Sequence, residues 1–315
     1  MQNSEHGNAA TAPTVIAAQP GGNTALIAGL FVFIWSTGFI IARLAMPHAP
    51  ALTFLSWRYA GACVVLLPLV MLQKAPWPAM AQFRHIAVAG LLLQAGYLGG
   101  VWMAIKLGLP AGISALVVGM QPLLTGIAAG WFSESVTTRQ WLGLLIGFSG
   151  VAITVSTKWS VDGIHWDNLA CIVLALVSIT AGTLWQKYRC GAFDTRTGAF
   201  IQYLASGLLT MPLAVWLEQG QPFTINLDVT IAYVWAVLGL SIGAIALLFE
   251  LIRRGNATRV SSLFYLTPAV TAMLAWLLFD EKLSWTAIAG MIIALSAVAL
   301  VTTPSKPPSQ TTGKP

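Results

Sequence analysis

Residues 108–155 read GLPAGISALVVGMQPLLTGIAAGWFSESVTTRQWLGLLIGFSGVAITV, and residues 255–301 read GNATRVSSLFYLTPAVTAMLAWLLFDEKLSWTAIAGMIIALSAVALV. The two stretches share a leading Gly, a central Pro (Pro122 or Pro268), a Phe-x-Glu exit and a closing apolar segment. They are 146 to 147 residues apart, about half the length of this 315-residue chain. An internal repeat on this scale predicts a fold assembled from two similar halves.

The composition indicates that these halves lie in a membrane. Hydrophobic residues make up 57% of the chain and charged residues 8%, against roughly 25% charged residues in a soluble domain. Uncharged runs close to the ~20 residues that cross a bilayer recur along the chain. They cover residues 24–42, 85–105, 107–133, 140–157, 168–186, 197–217, 229–249, 260–279 and 283–305, and a tenth run, 51–73, is interrupted only by Arg58. We therefore predict an all-α polytopic membrane protein with ten transmembrane helices.

The basic residues of the loops indicate the orientation of the helices. With the N-terminus in the cytoplasm, eleven of the 16 Lys and Arg residues fall in cytoplasmic segments and four in outer loops. This bias is the positive-inside pattern, so we expect both termini to be cytoplasmic. Because five helices form each half, the second half enters the membrane upside down. We predict two inverted five-helix repeats, residues 24–157 and 166–302.

Two polar segments flank the predicted repeats. Residues 1–23 and 303–315 are rich in small, polar, Pro and Gly residues, and we interpret both as disordered cytoplasmic tails. The first segment has no basic region of the kind that begins a cleavable signal peptide. The three cysteines are scattered and have neither disulfide nor metal-ligand spacing, so we expect no metal and no cofactor.

The first two predicted helices carry a family resemblance. Residues 34–46 read IWSTGFIIARLAM, residues 53–68 read TFLSWRYAGACVVLLP, and the two repeats exit through FSE and FDE. Together with the prolines of helices 4 and 9, these segments resemble the EamA-type ten-helix permeases of the drug/metabolite transporter superfamily, over about residues 24–302. The resemblance implies a carrier of the bacterial inner membrane, usually an exporter, for small metabolites such as amino acids or their relatives. It does not name the substrate.

Arg58 is the most informative single side chain. It lies about seven residues into helix 2, on the order of 10 Å below the outer surface at about 1.5 Å per residue. One interpretation is a cation that pairs with an anionic substrate group or locks helix packing. The other is a side chain that extends outward to the lipid headgroups. The sequence leaves both interpretations open.

Glu250 is the only acidic residue that we expect at membrane depth. It precedes Arg253 and Arg254 by three and four residues, which is the spacing of helical ion pairs. The favoured interpretation is a salt bridge at the membrane interface. The alternative is a protonatable group that couples substrate movement to a proton gradient.

Further candidates follow from polar and aromatic residues inside the predicted helices. Pro122 and Pro268 each remove a hydrogen bond and should kink helices 4 and 9, leaving freed carbonyls beside Gln121 and Thr267 at mid-membrane. We therefore expect the substrate site between these two helices. The other candidates are Trp35, Ser36 and Phe39 on helix 1, Gln94, Tyr97 and Trp102 on helix 3, Thr180 and Trp185 on helix 6, Gln202 and Tyr203 on helix 7, and Tyr265 on helix 9.

Other classes of membrane protein need residues that this chain does not supply at membrane depth. An enzyme needs a catalytic pair or a metal site, but the four His residues lie in a tail or at loop edges. A passive facilitator or channel usually shows a ring of like groups or a polar pore helix. The alternatives to a carrier are such a facilitator or a non-transporting membrane assembly protein.

The predicted partners follow from the same interpretation. We expect a small-molecule substrate, the lipid bilayer and protons as a coupling ion, and no nucleic acid. The sequence contains no phosphate-cradling loop, so ATP is not expected to drive transport directly. The protein is expected to be a monomer or a homodimer. Its two halves would rock about one central site by alternating access.

Overall fold

The helices of the protein follow the ten predicted runs. The computed structural model describes residues 22–128, 130, 137–156, 164–254, 263–281 and 285–302. Residues 1–21 and 303–315 of the tails lie outside it, as do Phe132 and Glu134 of the Phe-x-Glu exit in the first repeat. The first repeat contains α1 (Gly22–Ala45), α2 (Ala51–Leu72), α3 (Met80–Lys106), the two segments of α4 (Ala111–Val118 and Gln121–Ala128) and α5 (Thr138–Ser156). The second contains α6 (Trp166–Arg189), α7 (Thr195–Leu217), the three segments of α8 (Leu227–Val234, Trp235–Ala244 and Ile245–Arg254), α9 (Thr267–Phe279) and α10 (Trp285–Thr302).

The lengths and compositions of these helices suit a membrane. Within the described residues, seven helices are long and apolar enough to cross a bilayer. Three shorter apolar helices, residues 141–154, 267–279 and 288–297, stand where helices 5, 9 and 10 are predicted. The predicted fold class, an all-α polytopic membrane protein built from two repeats, is confirmed.

The two repeats run in opposite directions through the bundle. We call the end at which α1 begins the near end and the opposite end the far end. Because each repeat has five helices, α6 begins at the far end, whereas its counterpart α1 begins at the near end. This is the inverted arrangement that the loop charges predict.

The repeats are interlaced. α2 packs against its counterpart α7, and α5 packs against its counterpart α10. α1 packs against α8 and α9 of the second repeat, while α6 packs against α3 and α4 of the first. The first helix of each repeat therefore packs against helices of the other repeat, so the two halves of the sequence do not form two separate structural units.

Small residues allow the central helices to approach closely. At the α5–α10 crossing, a Cβ added to Gly150 would lie 2.5 Å from the carbonyl oxygen of Gly290. At the α3–α7 crossing, a Cβ added to Gly90 would lie 2.5 Å from the Cα of Gln202. Backbone contact of this kind is the usual basis of helix association where lipid removes the hydrophobic driving force.

Four helices depart from regular α geometry at related places. α4 is interrupted at Gly119–Met120, just before Pro122, and a 3₁₀ turn (Phe264–Leu266) precedes α9, whose first turn contains Pro268. These are the positions at which kinks are predicted. α3 and its counterpart α8 contain π-helical segments, Leu91–Gly96 and Trp235–Ala244. The π segments follow 11 residues of α3 and 8 residues of α8 and were not predicted.

The N-terminus of α2 is capped by the other repeat. Pro50 stands at the N-cap position and makes no side-chain cap. The carboxylate of Glu218, in the loop after α7, accepts the N–H groups of Leu52 and Thr53, both at 2.8 Å. By contrast, α7 is capped locally by Asp194, whose carboxyl pKa is held below its usual range by hydrogen bonds from Arg196. The helix that carries Arg58 is thus fixed at the far end by a cross-repeat cap.

Candidate functional site

Arg58 points into the bundle. The side chain is buried, with 5% exposed, and its Nε donates to the hydroxyl of Ser241 on α8 at 3.2 Å. Because Ser241 lies in the middle of α8, the guanidinium is directed away from the far end, where the headgroups would be. The sequence left two interpretations of Arg58 open. In this structure its side chain does not extend to the lipid headgroups.

Three buried tyrosines lie in the same region as the guanidinium. Tyr59 follows Arg58 on α2, and Tyr97 on α3 and Tyr203 on α7 are within electrostatic range of its charge. The rings of Tyr59 and Tyr203 are stacked, with centroids 5.9 Å apart and planes 25° apart. We call Arg58, Tyr59, Tyr97, Tyr203 and Ser241 the arginine–tyrosine cluster.

The two π segments position parts of this cluster. In the first, the carbonyl oxygen of Gln94 accepts the hydroxyl of Tyr59 at 2.8 Å. In the second, the hydroxyl of Ser241 donates to the carbonyl oxygen of Ala236, five residues earlier, at 3.0 Å. π-helical segments have hydrogen bonds between residues five apart, are rare, and occur frequently at functional sites.

The cluster carries a single charge. Among the described residues, no carboxylate pairs with Arg58, and none acts on the three tyrosine hydroxyls. A buried guanidinium without an anion carries a desolvation cost of several kcal/mol. The hydroxyl groups offset part of that cost, and a bound anion would offset more. The arrangement can therefore bind the negatively charged end of a small molecule.

Internal symmetry shows that this charge has no counterpart. Arg58–Tyr59 on α2 corresponds to Gln202–Tyr203 on α7, 144 residues later. The two tyrosines meet at the pseudo-two-fold axis, but Gln202 donates to Oε1 of Gln186 on α6 at 2.9 Å. The repeats thus place a cation on one side of the axis and a neutral amide on the other.

A second set of polar contacts joins helices at the prolines. On α1, the hydroxyl of Ser36 donates to the carbonyl oxygens of Val32 at 2.7 Å and Thr267 at 3.4 Å. At the related place, Gln121 donates through Nε2 to the hydroxyl of Thr183 on α6 at 3.3 Å. Thr267 Oγ1 is buried and has no hydrogen-bond partner among the described residues. These hydrogen bonds join α9 to α1 and α4 to α6, so each proline-bearing helix is bonded to the first helix of the other repeat.

The helices that bear the prolines touch each other directly. A Cβ added to Gly119 of α4 would lie 3.0 Å from the ring of Pro268, and one added to Gly112 would lie 3.3 Å from the Cβ of Ala272. The second contact lies toward the far end, where Arg43 and Glu281 also form an ion pair with 3.4 Å between Nε and Oε1. The buried guanidinium of Arg58 lies elsewhere, among α2, α3, α7 and α8. The substrate site that the sequence predicts between α4 and α9 therefore does not coincide with the position of this charge.

The other predicted residues are distributed over separate regions. Trp35 packs against Phe31 and Phe264, and Phe39 is buried in the main core. Trp185 lies at the near end, where its Nε1 donates to the carbonyl oxygen of His85 at 3.2 Å. Glu250 is half-buried in α8, and the side chains of Arg253, Arg254 and Tyr265 lie outside the described residues, so the pairing of Glu250 with the two arginines stays a prediction.

Three residues of this region were not selected from the sequence. Tyr59 and Ser241 belong to the cluster, and Glu218 caps the helix that carries it. The repeated pair Arg–Tyr and Gln–Tyr is a signal that could have identified Tyr59. Ser241 interrupts an apolar run and could have been noticed as well. No sequence signal connects Glu218 with α2, because the contact spans 166 residues.

The fold and this cluster define a polytopic helical membrane protein with two inverted repeats around a buried cation. The described residues hold no group of three or more His, Cys, Asp or Glu side chains that could bind a metal. The chain belongs to the EamA-like transporter family, whose model matches residues 23–156 and again residues 168–303. It is a membrane transporter, as the family resemblance of its first two helices implies.

Curated relatives match over most of their length. The chain is 26% identical over 301 residues to the uncharacterized transporter YvbV of Bacillus subtilis, covering 91% of this chain and 94% of the relative. It is 27% identical over 270 residues to the uncharacterized inner membrane transporter YedA of Escherichia coli K12, covering 85% and 87%. A "probable amino-acid metabolite efflux pump" of Salmonella typhimurium is 24% identical over 287 residues, covering 86% and 92%.

A solved crystal structure shares the architecture. It aligns with a TM-score of 0.60 at 17% sequence identity, covering 89% of this chain and 96% of the other. At that identity the likeness concerns the fold alone.

Proposed function

We propose that this chain is a secondary transporter of the bacterial inner membrane that exports a small metabolite, such as an amino acid or a related compound, by alternating access. The observation that carries the proposal is Arg58, a buried guanidinium with no carboxylate partner among the described residues. Charged residues inside a helical bundle mark substrate pathways, and a guanidinium there can bind an anionic group of a substrate. The name of the Salmonella relative supports the substrate class and the direction.

The proposed orientation places the near end in the cytoplasm. The loops at that end hold most of the basic residues, so both termini would be cytoplasmic. The inner-membrane location is supported by the name of the Escherichia coli relative. In this orientation the Gly112–Ala272 contact and the Arg43–Glu281 ion pair close the extracellular face, and both would separate when that face opens.

In the proposed mechanism, Arg58 binds the substrate anion and the tyrosine and serine hydroxyls orient it. Glu250, in the half of α8 toward the near end, is the proposed coupling group that would take up and release a proton during the cycle. Trp35 and Phe39 on α1 and Gln121 on α4 are further proposed substrate contacts.

The test is transport by purified protein in proteoliposomes loaded with a labelled panel of amino acids and related metabolites. We expect flux with wild type, about a tenfold or greater loss with Arg58→Ala, and loss of the response to an imposed pH gradient with Glu250→Gln. The matched control is Arg84→Ala, which removes an exposed arginine at the near end.

The outcomes separate the roles from one another. Unchanged flux in Arg58→Ala and Glu250→Gln would remove the assigned roles of these charges. Flux that only equilibrates the substrate, whatever the pH gradient, would favour a passive facilitator. Absence of flux for every compound in the panel would contradict export itself.

A further inference from the structure

We infer that the arginine–tyrosine cluster selects substrates with one net negative charge, a carboxylate without a compensating ammonium group, such as 2-oxo acids. The inference deepens the proposed function and rests on it, since it names the ionic form in which a metabolite related to an amino acid would bind. A site for the zwitterionic amino acid would need a second, acidic partner for the ammonium group.

The charge balance of the cluster is the main argument. Arg58 is buried, its Nε bonds to the neutral hydroxyl of Ser241, and the described residues place no carboxylate in ion-pair contact with it. A bound monoanion makes the occupied cluster neutral. A bound zwitterion leaves it with a net charge of one positive unit, as in the empty site, and also buries an ammonium group beside the guanidinium. In a region of low dielectric, the neutral complex is the more stable of the two.

The hydrogen-bonding groups of the cluster also favour a carboxylate over an ammonium group. Carboxylates need donors, and the cluster offers the remaining N–H groups of Arg58 and the hydroxyl of Tyr97, which has no bond to another described residue. Ammonium groups need acceptors. The carbonyl oxygens of Gln94 and Ala236, which accept the hydroxyls of Tyr59 and Ser241, are neutral acceptors. Neither supplies the negative charge that would neutralise an ammonium group.

The internal symmetry excludes a hidden acid at the equivalent place. The counterpart of Arg58 is Gln202, which is 8% exposed and donates to Gln186. An amide can orient a polar substrate group but cannot neutralise an ammonium charge. The pseudo-two-fold site therefore contributes one cation and no anion.

The experiment compares sets of related molecules that differ in net charge. Phenylpyruvate, phenylalanine and phenylalaninamide share a carbon skeleton, as do 4-methyl-2-oxopentanoate, leucine and leucinamide, and pyruvate, alanine and alaninamide. Uptake into proteoliposomes at neutral pH and the thermal shift of the detergent-solubilised full chain are measured for all nine. The variants are wild type, Arg58→Gln, Arg58→Lys and the exposed control Arg84→Gln.

We expect at least one 2-oxo acid to be transported and to raise the melting temperature, with an affinity about tenfold above that of its amino acid. Arg58→Gln should lose both responses and Arg84→Gln should keep both. Arg58→Lys keeps the positive charge, so it should retain the preference for the 2-oxo acid over the amino acid with weaker binding. This variant provides the test if Arg58→Gln does not fold.

Three outcomes decide between the two proposals. If an amino acid is transported as well as its 2-oxo acid or better, the inference is overturned while the transport function stands. If a 2-oxo acid stabilises the protein through Arg58 but no compound moves, the inference stands and the transport function fails. If no 2-oxo acid binds or moves, the inference is wrong.

Discussion

At the scale of single residues, the depth of Arg58 in the membrane could be predicted from the sequence, but the direction in which its side chain points could not. Counting from the start of helix 2 placed Arg58 on the order of 10 Å inside. The helix is apolar on nearly every face, so the sequence contains no stripe from which the direction of one side chain could be inferred. The partner, Ser241, lies 183 residues away on a π segment. Only the packed structure shows that the arginine faces the interior.

Ser241 provides a test of the cluster that leaves Arg58 in place. Because its hydroxyl accepts a bond from the guanidinium, Ser241→Ala should weaken substrate binding by about 1 kcal/mol, roughly five- to tenfold in KM. Initial transport rates over a range of substrate concentrations measure the change. The control is Ser149→Ala, since Ser149 is exposed and its hydroxyl bonds to the carbonyl of Leu145 in its own helix. Equal KM values for Ser241→Ala and wild type would remove Ser241 from the site.

At the scale of elements, the sequence predicted where helices lie but not how they are joined. Hydrophobic runs and charges locate all ten helices to within seven residues of their observed bounds, because the bilayer fixes their length. The interruptions near Pro122 and Pro268 follow from the missing proline N–H. The π segments have no comparable signal, since one extra residue in a turn leaves an apolar run unchanged. The cross-repeat cap by Glu218 is likewise a property of tertiary packing.

The cap of α2 can be tested through stability. Glu218→Ala leaves the N–H groups of Leu52 and Thr53 without their acceptor in a buried place, so we expect a loss of about 1–2 kcal/mol. Glu218→Gln keeps one oxygen acceptor and should lose less. Thermal unfolding of the purified protein in detergent measures both changes.

The neighbouring exposed residue supplies the matched control for the cap. Gln219→Ala changes an exposed side chain one residue further along the same loop and should shift stability by no more than about 0.5 kcal/mol. If Glu218→Ala unfolds at the same temperature as Gln219→Ala, the carboxylate does not hold the N-terminus of α2.

At the scale of the whole molecule, loop charge predicted the inversion of the repeats but not their interlacing. Charge tells which side of the membrane a loop occupies and says nothing about which helices are neighbours. In the structure, α1 groups with α8 and α9, and α6 groups with α3 and α4. A rocking movement of residues 24–157 against residues 166–302 would have to separate α1 from two helices that it packs against. Movement between these two mixed three-helix groups keeps those contacts intact.

The contact between α4 and α9 tests this movement, because the two helices belong to different groups. A Cβ at Gly112 would lie 3.3 Å from the Cβ of Ala272, close to the separation in a disulfide. After replacement of the native cysteines, oxidised Gly112→Cys/Ala272→Cys should lose transport and recover it on reduction. Each single variant should stay active throughout.

A tether within one group serves as the control for this cross-link. In Leu92→Cys/Gly182→Cys the two Cβ positions lie 3.0 Å apart across α3 and α6, and its oxidation should not block transport. Full activity of the cross-linked Gly112–Ala272 pair would show that α4 and α9 stay together during transport, and the mixed groups would then not be the moving parts.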